Sequence, residues 1–313
     1  MSTTAEPSAR GAVRPRGATG KRRRRLPLSF EGRMLAPALI LLAALSLFPF
    51  VYIILMSLSR VGLIGGISLH WAGLDNWSRL FSDPIVGASW LRSALYFVAT
   101  VGLEMVLGLG IALALWEVVR GRNVMLSLIL MPMFMAPVIV GLLGRFLTDS
   151  TYGLYAWVLR TTHIYTGDIL GSPHAAFVAV TLMDVWQWTP LIALIVLAGL
   201  TSLPGPVLEA AKVDGASYWQ RLRLIVLPMI SGVVIIALLI RSMDAIRYYD
   251  IITNTTAGGP ADATKVIPIR LYEEGFRFFD LGYAAAIGLT MLAFSIVVAN
   301  LFVRLLRRRG LAR

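Results

Sequence analysis

Charged residues recur at every third position near the end of an apolar stretch in the second half of the chain. They are Arg241, Asp244, Arg247 and Asp250, with Tyr248 among them. Residues three apart lie on one side of a helix, where opposite charges can pair. Charges within apolar segments also tend to face a cavity or a partner. The pattern therefore predicts a salt-bridged ladder that holds the helix end, a surface that contacts a polar solute, or both.

A second group of polar residues interrupts another apolar stretch, at Asp184, Trp186, Gln187 and Trp188. Aromatic rings can stack on sugar rings, and acids or amides bind hydroxyl groups, so this group suits a polyhydroxylated solute. Helix packing or anchoring at a membrane interface explains the tryptophans equally well.

A third apolar stretch contains Glu104, Gly108 and Gly110. Glu104 is expected either to line a polar seam or to pair with Arg145. The two glycines are expected to be packing contacts, because small residues let membrane helices approach closely.

Residues that could carry catalysis or bind ATP are not arranged to do so. None of the lysines, Lys21, Lys212 and Lys265, combines the glycines and the following Ser or Thr of a phosphate-binding loop. The three histidines lie in predicted loops without metal-ligand spacing, and the chain has no cysteine. No Gly-x-Ser-x-Gly motif provides a nucleophile. We therefore expect no metal site, no cofactor in this chain and no enzymatic activity.

The chain that carries these groups is unusually apolar. Its residues are 57% hydrophobic and 15% charged, with a mean hydropathy of +0.74, whereas soluble domains have about 25% charged residues. Six apolar stretches approach the ~20 residues that a helix needs to cross a bilayer. They are residues 34–58, 91–116, 124–147, 175–200, 225–240 and 284–306. The fifth is long enough only when it includes Arg241 and Asp244. The sequence thus predicts an all-α integral membrane protein with six transmembrane helices.

The distribution of basic residues predicts the orientation of these helices. Most of the 29 lysines and arginines lie near the two termini and in the second-to-third and fourth-to-fifth links. The alternate links hold Arg60, Arg79, Arg160, Arg247, Lys265, Arg270 and Arg277. Because basic residues favour the cytoplasmic side, both termini are predicted to be cytoplasmic. The net charge of +12 then reflects topology and contact with anionic lipid headgroups rather than nucleic-acid binding.

Composition also divides the chain into three segments. Residues 1–30 are predicted to form a disordered basic cytoplasmic tail. Residues 31–306 are predicted to form the six-helix transmembrane domain, and residues 307–313 a second basic cytoplasmic tail. The first apolar stretch is too long for the core of a signal peptide and lacks a small-residue cleavage site, so we expect it to be retained.

A short polar segment, residues 204–224, links the fourth and fifth apolar stretches. Its opening Pro-Gly-Pro suits a helix start, and Glu209 is expected in or near the first turn, where the helix dipole favours an acid. Gly215 is predicted to end this helix, and Ser217 with Gln220 is predicted to form a capping box that begins the next one. Two short helices joined at a glycine are therefore expected to project from the membrane.

The order of residues in this segment resembles the EAA signature of the permease subunits of binding-protein-dependent ABC importers. The resemblance covers Glu209-Ala210-Ala211, Asp214-Gly215-Ala216, Ile225 and Leu227-Pro228. In that family the segment is the coupling helix, which lies in a groove of the ATP-hydrolysing subunit. The resemblance therefore implies ATPase contacts at Glu209, Ala210, Ala211, Asp214, Gly215, Ala216 and Tyr218.

Weaker motifs resemble the maltose, trehalose and glycerol-phosphate branch of the family. They are Gly73-Leu74-Asp75-Asn76-Trp77, Trp188-Thr189-Pro190 and Thr256-Ala257-Gly258-Gly259-Pro260. One difference is Ala257, where the family often has Asn or Gly. In the family, the outer part of the fifth helix and the middle of the fourth line the translocation path. The resemblance thus implies solute contacts at Asp184, Trp186, Gln187, Trp188, Asp244, Arg247, Tyr248 and Asp250.

The resemblance also implies the fold and the partners. We expect a type I ABC importer permease in a bacterial cytoplasmic membrane. Its expected partners are two ATP-binding cassette subunits, a second permease that is a different chain, an extracytoplasmic solute-binding protein and membrane lipid. ATP is hydrolysed by the partner subunits. The expected solute is a carbohydrate or a related polyhydroxylated compound.

Two other function classes remain as alternatives from the sequence. An ion-gradient-driven transporter or channel would be favoured by inverted repeats with broken helices, which are not evident. An intramembrane enzyme would need a catalytic constellation near the membrane surface. Co-purification of an ATPase separates these classes.

Overall fold

The computed structural model describes residues 30–118 and 120–308, and this part of the chain is almost entirely helical. Residues 1–29 of the predicted N-terminal tail and residues 309–313 of the C-terminal tail lie outside the described residues. The helices are α1 (Phe30–Ser57), α2 (Asp75–Ser82), α3 (Pro84–Glu117), α4 (Arg122–Leu130), α5 (Pro137–Thr148), α6 (Leu154–Thr161), α7 (Pro173–Thr201), α8 (Gly205–Val213), α9 (Tyr218–Arg221), α10 (Leu227–Ala245), α11 (Asp250–Thr255), α12 (Ile267–Tyr272) and α13 (Leu281–Arg308). Two short strands, β1 (Ser59–Gly62) and β2 (Ser68–Trp71), pair antiparallel after α1.

Within residues 30–118 and 120–308, five helical segments are long and apolar enough to cross a membrane. They are Met34–Ser57, Pro84–Glu117, Pro173–Thr201, Tyr218–Ala245 and Leu281–Arg307. A bent pair of shorter helices gives a sixth span when its two halves are counted as one, and the predicted all-α transmembrane architecture is confirmed. The fifth span begins earlier than the apolar stretch indicates, because α9 continues through a π-helical turn at Leu222–Val226 into α10.

The third span is not the single uninterrupted helix that residues 124–147 predict. Its two halves, Arg122–Phe134 and Pro137–Thr148, meet at an angle of 92°. Pro137 begins α5, and Ala136 before it is extended, with φ −64° and ψ 135°. A proline restricts the preceding residue to extended backbone and has no N–H for a helical hydrogen bond, so the helix breaks here.

The helix pair α3 and α7 forms the centre of the larger compact unit, Val51–Arg313. Gly108 lets the two backbones approach closely, because it has no side chain. An added Cβ there would lie only 2.6 Å from Cγ2 of Ile192. The expectation for Gly108 as a packing glycine is confirmed. The same expectation is wrong for Gly110 within this chain, since an added Cβ at Gly110 would meet no described neighbour within 4 Å. Around this contact, α10 adds Ile230 and Ala237 to the core.

The smaller unit, Met1–Phe50, contains most of α1 in its described part. The candidate span of α1 buries no residue in its most apolar window. Its apolar side chains project on all sides of the helix, with Met34, Ile40 and Leu45 each more than 65% exposed. Such a surface requires lipid or another protein to cover it.

Candidate functional site

A buried ion cluster joins three of the membrane-spanning helices. Arg241 of α10 pairs with Glu104 of α3 through two hydrogen bonds, from Nε to Oε2 at 2.6 Å and from Nη2 to Oε1 at 2.8 Å. Its Nη2 also lies 2.8 Å from both carboxylate oxygens of Asp184 on α7. All three side chains are fully buried. One guanidinium thus binds two carboxylates from two other helices.

A third carboxylate approaches the cluster from its exposed side. Asp244 lies one turn after Arg241, and its Oδ2 is 3.3 Å from Nη1 of the guanidinium. Its side chain is 46% exposed, whereas Arg241 is fully buried. The two residues therefore connect the buried cluster to an open surface of the chain.

Aromatic and amide groups surround the guanidinium and retain unused hydrogen-bonding capacity. The rings of Trp188 and Tyr248 have centroids 5.4 and 5.7 Å from the Arg241 Cζ, within the range of cation–π attraction. Gln187 donates from Nε2 to the backbone oxygen of Met135 at 2.7 Å. Among the described residues, no partner satisfies the buried atoms Gln187 Oε1, Trp188 Nε1, Ser242 Oγ and Tyr248 Oη. Buried polar atoms normally have a protein, water or ligand partner, so these atoms can form hydrogen bonds with hydroxyl groups or water.

The structure brings together five of the eight residues predicted to contact a solute. Asp184, Gln187, Trp188, Asp244 and Tyr248 surround or adjoin Arg241. Their contact with a solute stays a prediction, although their proximity to one another is now established.

The other three predicted residues lie elsewhere. Trp186 is 52% exposed and lines an apolar cleft of about 780 Å³ between α5, α6 and α7. Arg247 and Asp250 are exposed and follow the end of α10 at Ala245, and Asp250 begins α11. The charge ladder predicted from the spacing of three is therefore limited to the pair Arg241–Asp244, because the helix ends before the next charge.

The partner of Glu104 in the cluster is Arg241, which was not predicted from the sequence. The expectation that it pairs with Arg145 is wrong, since both Glu104 oxygens accept hydrogen bonds from Arg241. The sequence nevertheless contained a signal, because Glu104 and Asp184 interrupt two apolar stretches and Arg241 directly follows a third. Opposite charges in separate membrane helices are expected to pair, since an unpaired buried charge is costly.

The segment between the fourth and fifth spans has the predicted helix–glycine–helix form. Helix α8 ends at Val213, and Gly215 has φ +80°, which an L-residue with a side chain rarely adopts. The N–H of Ala216 donates to the oxygen of Ala211 at 3.0 Å and closes the helix end. Ser217 and Gln220 form the predicted capping box at the start of α9.

This segment presents an open surface for a partner. Glu209, Ala210, Asp214, Gly215 and Tyr218 are exposed, whereas Ala211 is buried and Ala216 is half-buried. No described atom lies within 4 Å of a Cβ placed on Gly215. Glu209, expected in or near the first turn, lies just after that turn, as the fifth residue of α8, which starts at Gly205.

A network of ion pairs occupies the loops after α11 and around α12. Arg270 pairs with Glu274 at 2.8 Å, and Lys265 lies 3.2 Å from Glu273. Burial opposes the charge of Lys265, but its hydrogen bonds to Asp262 and Glu273 outweigh this and raise its pKa. Burial likewise raises the pKa of Glu274 despite its arginine partners.

The motif Thr256–Pro260 lies beside this network and contains an unusual backbone position. Ala257 has φ +51° and Gly258 has φ +90°. The left-handed region suits Gly or Asn, the residues that the family often has where this chain has Ala257. Ala257 is therefore a strained residue in this turn.

Comparison with known proteins places these sites in a family. Residues 106–310 match the family described as binding-protein-dependent transport system inner membrane component. The trehalose/maltose transport system permease protein MalF of Thermococcus litoralis is 35% identical over 236 residues, which are 75% of this chain and 79% of that protein. The trehalose transport system permease protein SugA of Mycobacterium tuberculosis is 30% identical over 292 residues, covering 92% of this chain and 91% of that protein.

Solved structures show the same fold. A bacterial ABC transporter involved in the import of the acidic polysaccharide alginate contains a chain that is similar with a TM-score of 0.77 and 21% identity. The match covers 88% of this chain and 94% of that chain. With its membrane-spanning helices, its family match and these relatives, this chain belongs to the family of binding-protein-dependent transport system inner membrane components and is a permease subunit of an ABC importer.

Proposed function

We propose that this permease subunit carries a carbohydrate or a related polyhydroxylated solute along a path past the cluster around Arg241. The observation that carries the proposal is the set of buried, unpaired polar atoms at Gln187, Trp188 and Tyr248. Gln187 and Trp188 lie near the middle of α7, and Tyr248 follows the end of α10. Their polar atoms suit sugar hydroxyls, and the rings of Trp188 and Tyr248 suit sugar faces. The naming of similar permeases for trehalose and maltose transport supports the same solute class.

Transport through this chain requires partners on both sides of the membrane. We propose that α8 and Gly215 dock on one of two ATP-hydrolysing subunits, since this segment is exposed and its glycine leaves room for close contact. An extracytoplasmic binding protein delivers the solute, as the family description implies. ATP is hydrolysed by the partner subunits, and this chain needs no cofactor.

A second permease subunit, a different chain, completes the pore in this proposal. A pore formed with a second chain would enclose Asp244, whose side chain is 46% exposed in this chain. The exposed apolar surface of α1 offers additional area for lipid or for this second subunit.

We infer that both termini lie in the cytoplasm of a bacterial cell, with the protein in the inner membrane. The excess of basic residues at the termini and in the α3–α4 and α7–α10 links supports this orientation. The coupling segment then faces the ATP-hydrolysing subunits, and the ion-pair network around α12 faces the binding protein.

Uptake of radiolabelled sugars tests the solute class. A strain that lacks this chain is complemented with the wild type or with Gln187→Ala, and uptake is measured for neutral mono- and disaccharides. We expect at least one sugar to be taken up only with the wild-type chain, and Gln187→Ala to reduce uptake while the complex still assembles. Uptake of no carbohydrate would reject the solute class, and unchanged uptake by Gln187→Ala would reject the site.

A further inference from the structure

The cluster around Arg241 contains more acidic than basic groups, and this balance bears on the charge that a solute on the proposed path would meet. Three carboxylates, from Glu104, Asp184 and Asp244, share one guanidinium. No other Lys or Arg in the described residues forms a salt bridge with any of the three. The cluster therefore carries more negative than positive charge when its acids are ionised.

The geometry also determines which of these charges is accessible. The Nε and Nη2 atoms of Arg241 point at Glu104 and Asp184, in short hydrogen bonds between fully buried groups. Trp188 and Tyr248 lie close to the guanidinium. Only Nη1 points toward the open side, and there Asp244 already lies 3.3 Å away. The exposed member of the cluster is thus an acid and not the arginine.

Glu104 is needed for this arrangement because it holds two of the three guanidinium nitrogens in a planar, two-point contact. Such paired hydrogen bonds fix both the position and the orientation of an arginine. Without Glu104, Arg241 would keep Asp184 as its buried partner and could turn its remaining donors toward Asp244 and the solute path. A free guanidinium in that place would attract phosphate, sulfate or carboxylate groups.

We propose that Glu104 is a positioning residue of the transport site: with Asp184 it neutralises Arg241, so that Asp244 is the charge that the solute meets and the site selects uncharged solutes over anionic ones. This inference rests on the proposed solute path. It adds a charge preference that the solute class alone does not give, since polyhydroxylated solutes can be neutral or carry phosphate, sulfonate or carboxylate groups. Sugar hydroxyls can donate to the Asp244 carboxylate, whereas an anionic group is repelled by it.

The absence of cysteine from the chain permits a direct test of the local charge. Asp244→Cys is introduced into the assembled importer in lipid nanodiscs, and the thiol is treated with a cationic or an anionic methanethiosulfonate reagent. Modification is read from the mass of this chain. Each rate is divided by the rate of the same reagent with 2-mercaptoethanol, and the ratio of cationic to anionic rates reports the potential set by Glu104, Asp184 and Arg241.

We expect the Asp244→Cys thiol to react, with a normalised ratio above one. Adding Glu104→Gln removes one negative charge from the opposite side of a single guanidinium, which should lower the ratio by about three- to tenfold. Asp184→Asn removes a charge from the other buried partner and should act in the same direction, so it carries the test if Glu104→Gln does not assemble. The matched control is Ile164→Cys, an exposed position in the loop after α6, whose ratio should not respond to either change.

A thiol at position 244 that does not react would overturn the inference, because Asp244 would then not face water. A ratio below one, or one that neither acid variant changes, would show that Arg241 is not neutralised as proposed. These measurements use no solute, so they remain decisive even if the uptake assay finds no carbohydrate. If a sugar is transported, uptake of its phosphorylated form at the same rate would also contradict the charge preference.

Discussion

Glu104 and Arg241 are 137 positions apart in the chain, yet they form a two-point hydrogen-bonded ion pair with both side chains fully buried. Arg241 also binds Asp184, so this one side chain links α3, α7 and α10. The pair thus contributes to the assembly of the helices as well as to the chemistry of the proposed path.

Removing the shared guanidinium should strongly destabilise the helix assembly. Arg241→Met leaves the buried carboxylates of Glu104 and Asp184 close together without a counter-charge, which we expect to cost about 3–5 kcal/mol. Thermal unfolding of the purified complex measures the effect. The control is Arg60→Met, which breaks only the exposed pair with Asp75 and should cost at most about 1 kcal/mol. Equal shifts for the two variants would contradict the structure, as would a triple variant with Glu104→Gln and Asp184→Asn that recovers no stability.

Two glycines of α3 should respond differently to the same small substitution. Gly108→Ala puts a Cβ 2.6 Å from the Ile192 side chain and 3.1 Å from the Ala193 backbone nitrogen, so the helices must separate. We expect a loss of about 1–3 kcal/mol, as for other overpacked sites. Gly110→Ala is the matched control, since its Cβ meets no described atom within 4 Å. Denaturation of the two variants in parallel measures their free energies of unfolding, and a loss of stability confined to Gly110→Ala would contradict the close α3–α7 contact at Gly108.

The parts of the fold that sequence predicts are those that depend on local properties of the chain. Apolar length indicated six spans, because the hydrocarbon core sets a minimum length for any crossing helix. Gly215, Ser217 and Gln220 predicted the helix end and the capping box, because both depend on residues within one turn.

The features that sequence missed depend on tertiary contacts or on backbone direction. The partner of Glu104 lies on another helix, and no spacing along the chain distinguishes Arg241 from Arg145. The bend before Pro137 occurs inside an apolar run whose hydropathy does not change, so composition indicates one span where the backbone turns by 92°. Arg247 lies off the charge ladder because α10 ends at Ala245, which the spacing of charges does not reveal.

The strained turn after α11 should improve when its alanine is replaced by glycine. Ala257 has φ +51°, which costs a residue with a Cβ about 1–2 kcal/mol, and glycine removes this cost at some expense in chain entropy. Ala257→Gly should therefore gain about 0.5–1 kcal/mol of unfolding free energy. Ala263→Gly, in the same loop but without a positive φ, should lose stability. Thermal unfolding of both variants tests this, and the opposite order of stabilities would reject the strained turn.

The orientation in the membrane can be tested in intact cells with the cysteine-free chain. Single cysteines at Ser2 and at Thr161, an exposed residue at the end of α6, are treated with a membrane-impermeant thiol reagent. The proposed topology predicts labelling at position 161 and protection at position 2 until the cells are lysed. Labelling at position 2 with protection at position 161 would reverse the topology and place α8 on the side away from the ATPase.

The proposed docking of α8 on the ATP-hydrolysing subunit depends most on Gly215, the least replaceable residue of this segment. Its φ of +80° disfavours any side chain, and an added side chain would project from an exposed surface toward the docked partner. Gly215→Asp should leave the permease in the membrane but weaken its hold on the ATP-hydrolysing subunit. Gly66→Asp is the matched control, because Gly66 also has a positive φ, of +121°, and open surroundings, but lies in the loop between β1 and β2.

The most direct measurement is the solute-stimulated ATP hydrolysis of the purified complex, together with the amount of ATPase that co-purifies, for Gly215→Asp, Glu209→Ala and Gly66→Asp. If α8 docks on the ATPase, Gly215→Asp lowers both quantities by at least tenfold, Glu209→Ala lowers them less, and Gly66→Asp retains wild-type values for both. A tenfold loss corresponds to about 1.4 kcal/mol of docking free energy. Wild-type hydrolysis and wild-type co-purification for both Gly215→Asp and Glu209→Ala would rule out docking through α8, because the segment would then be only a connection between two membrane helices.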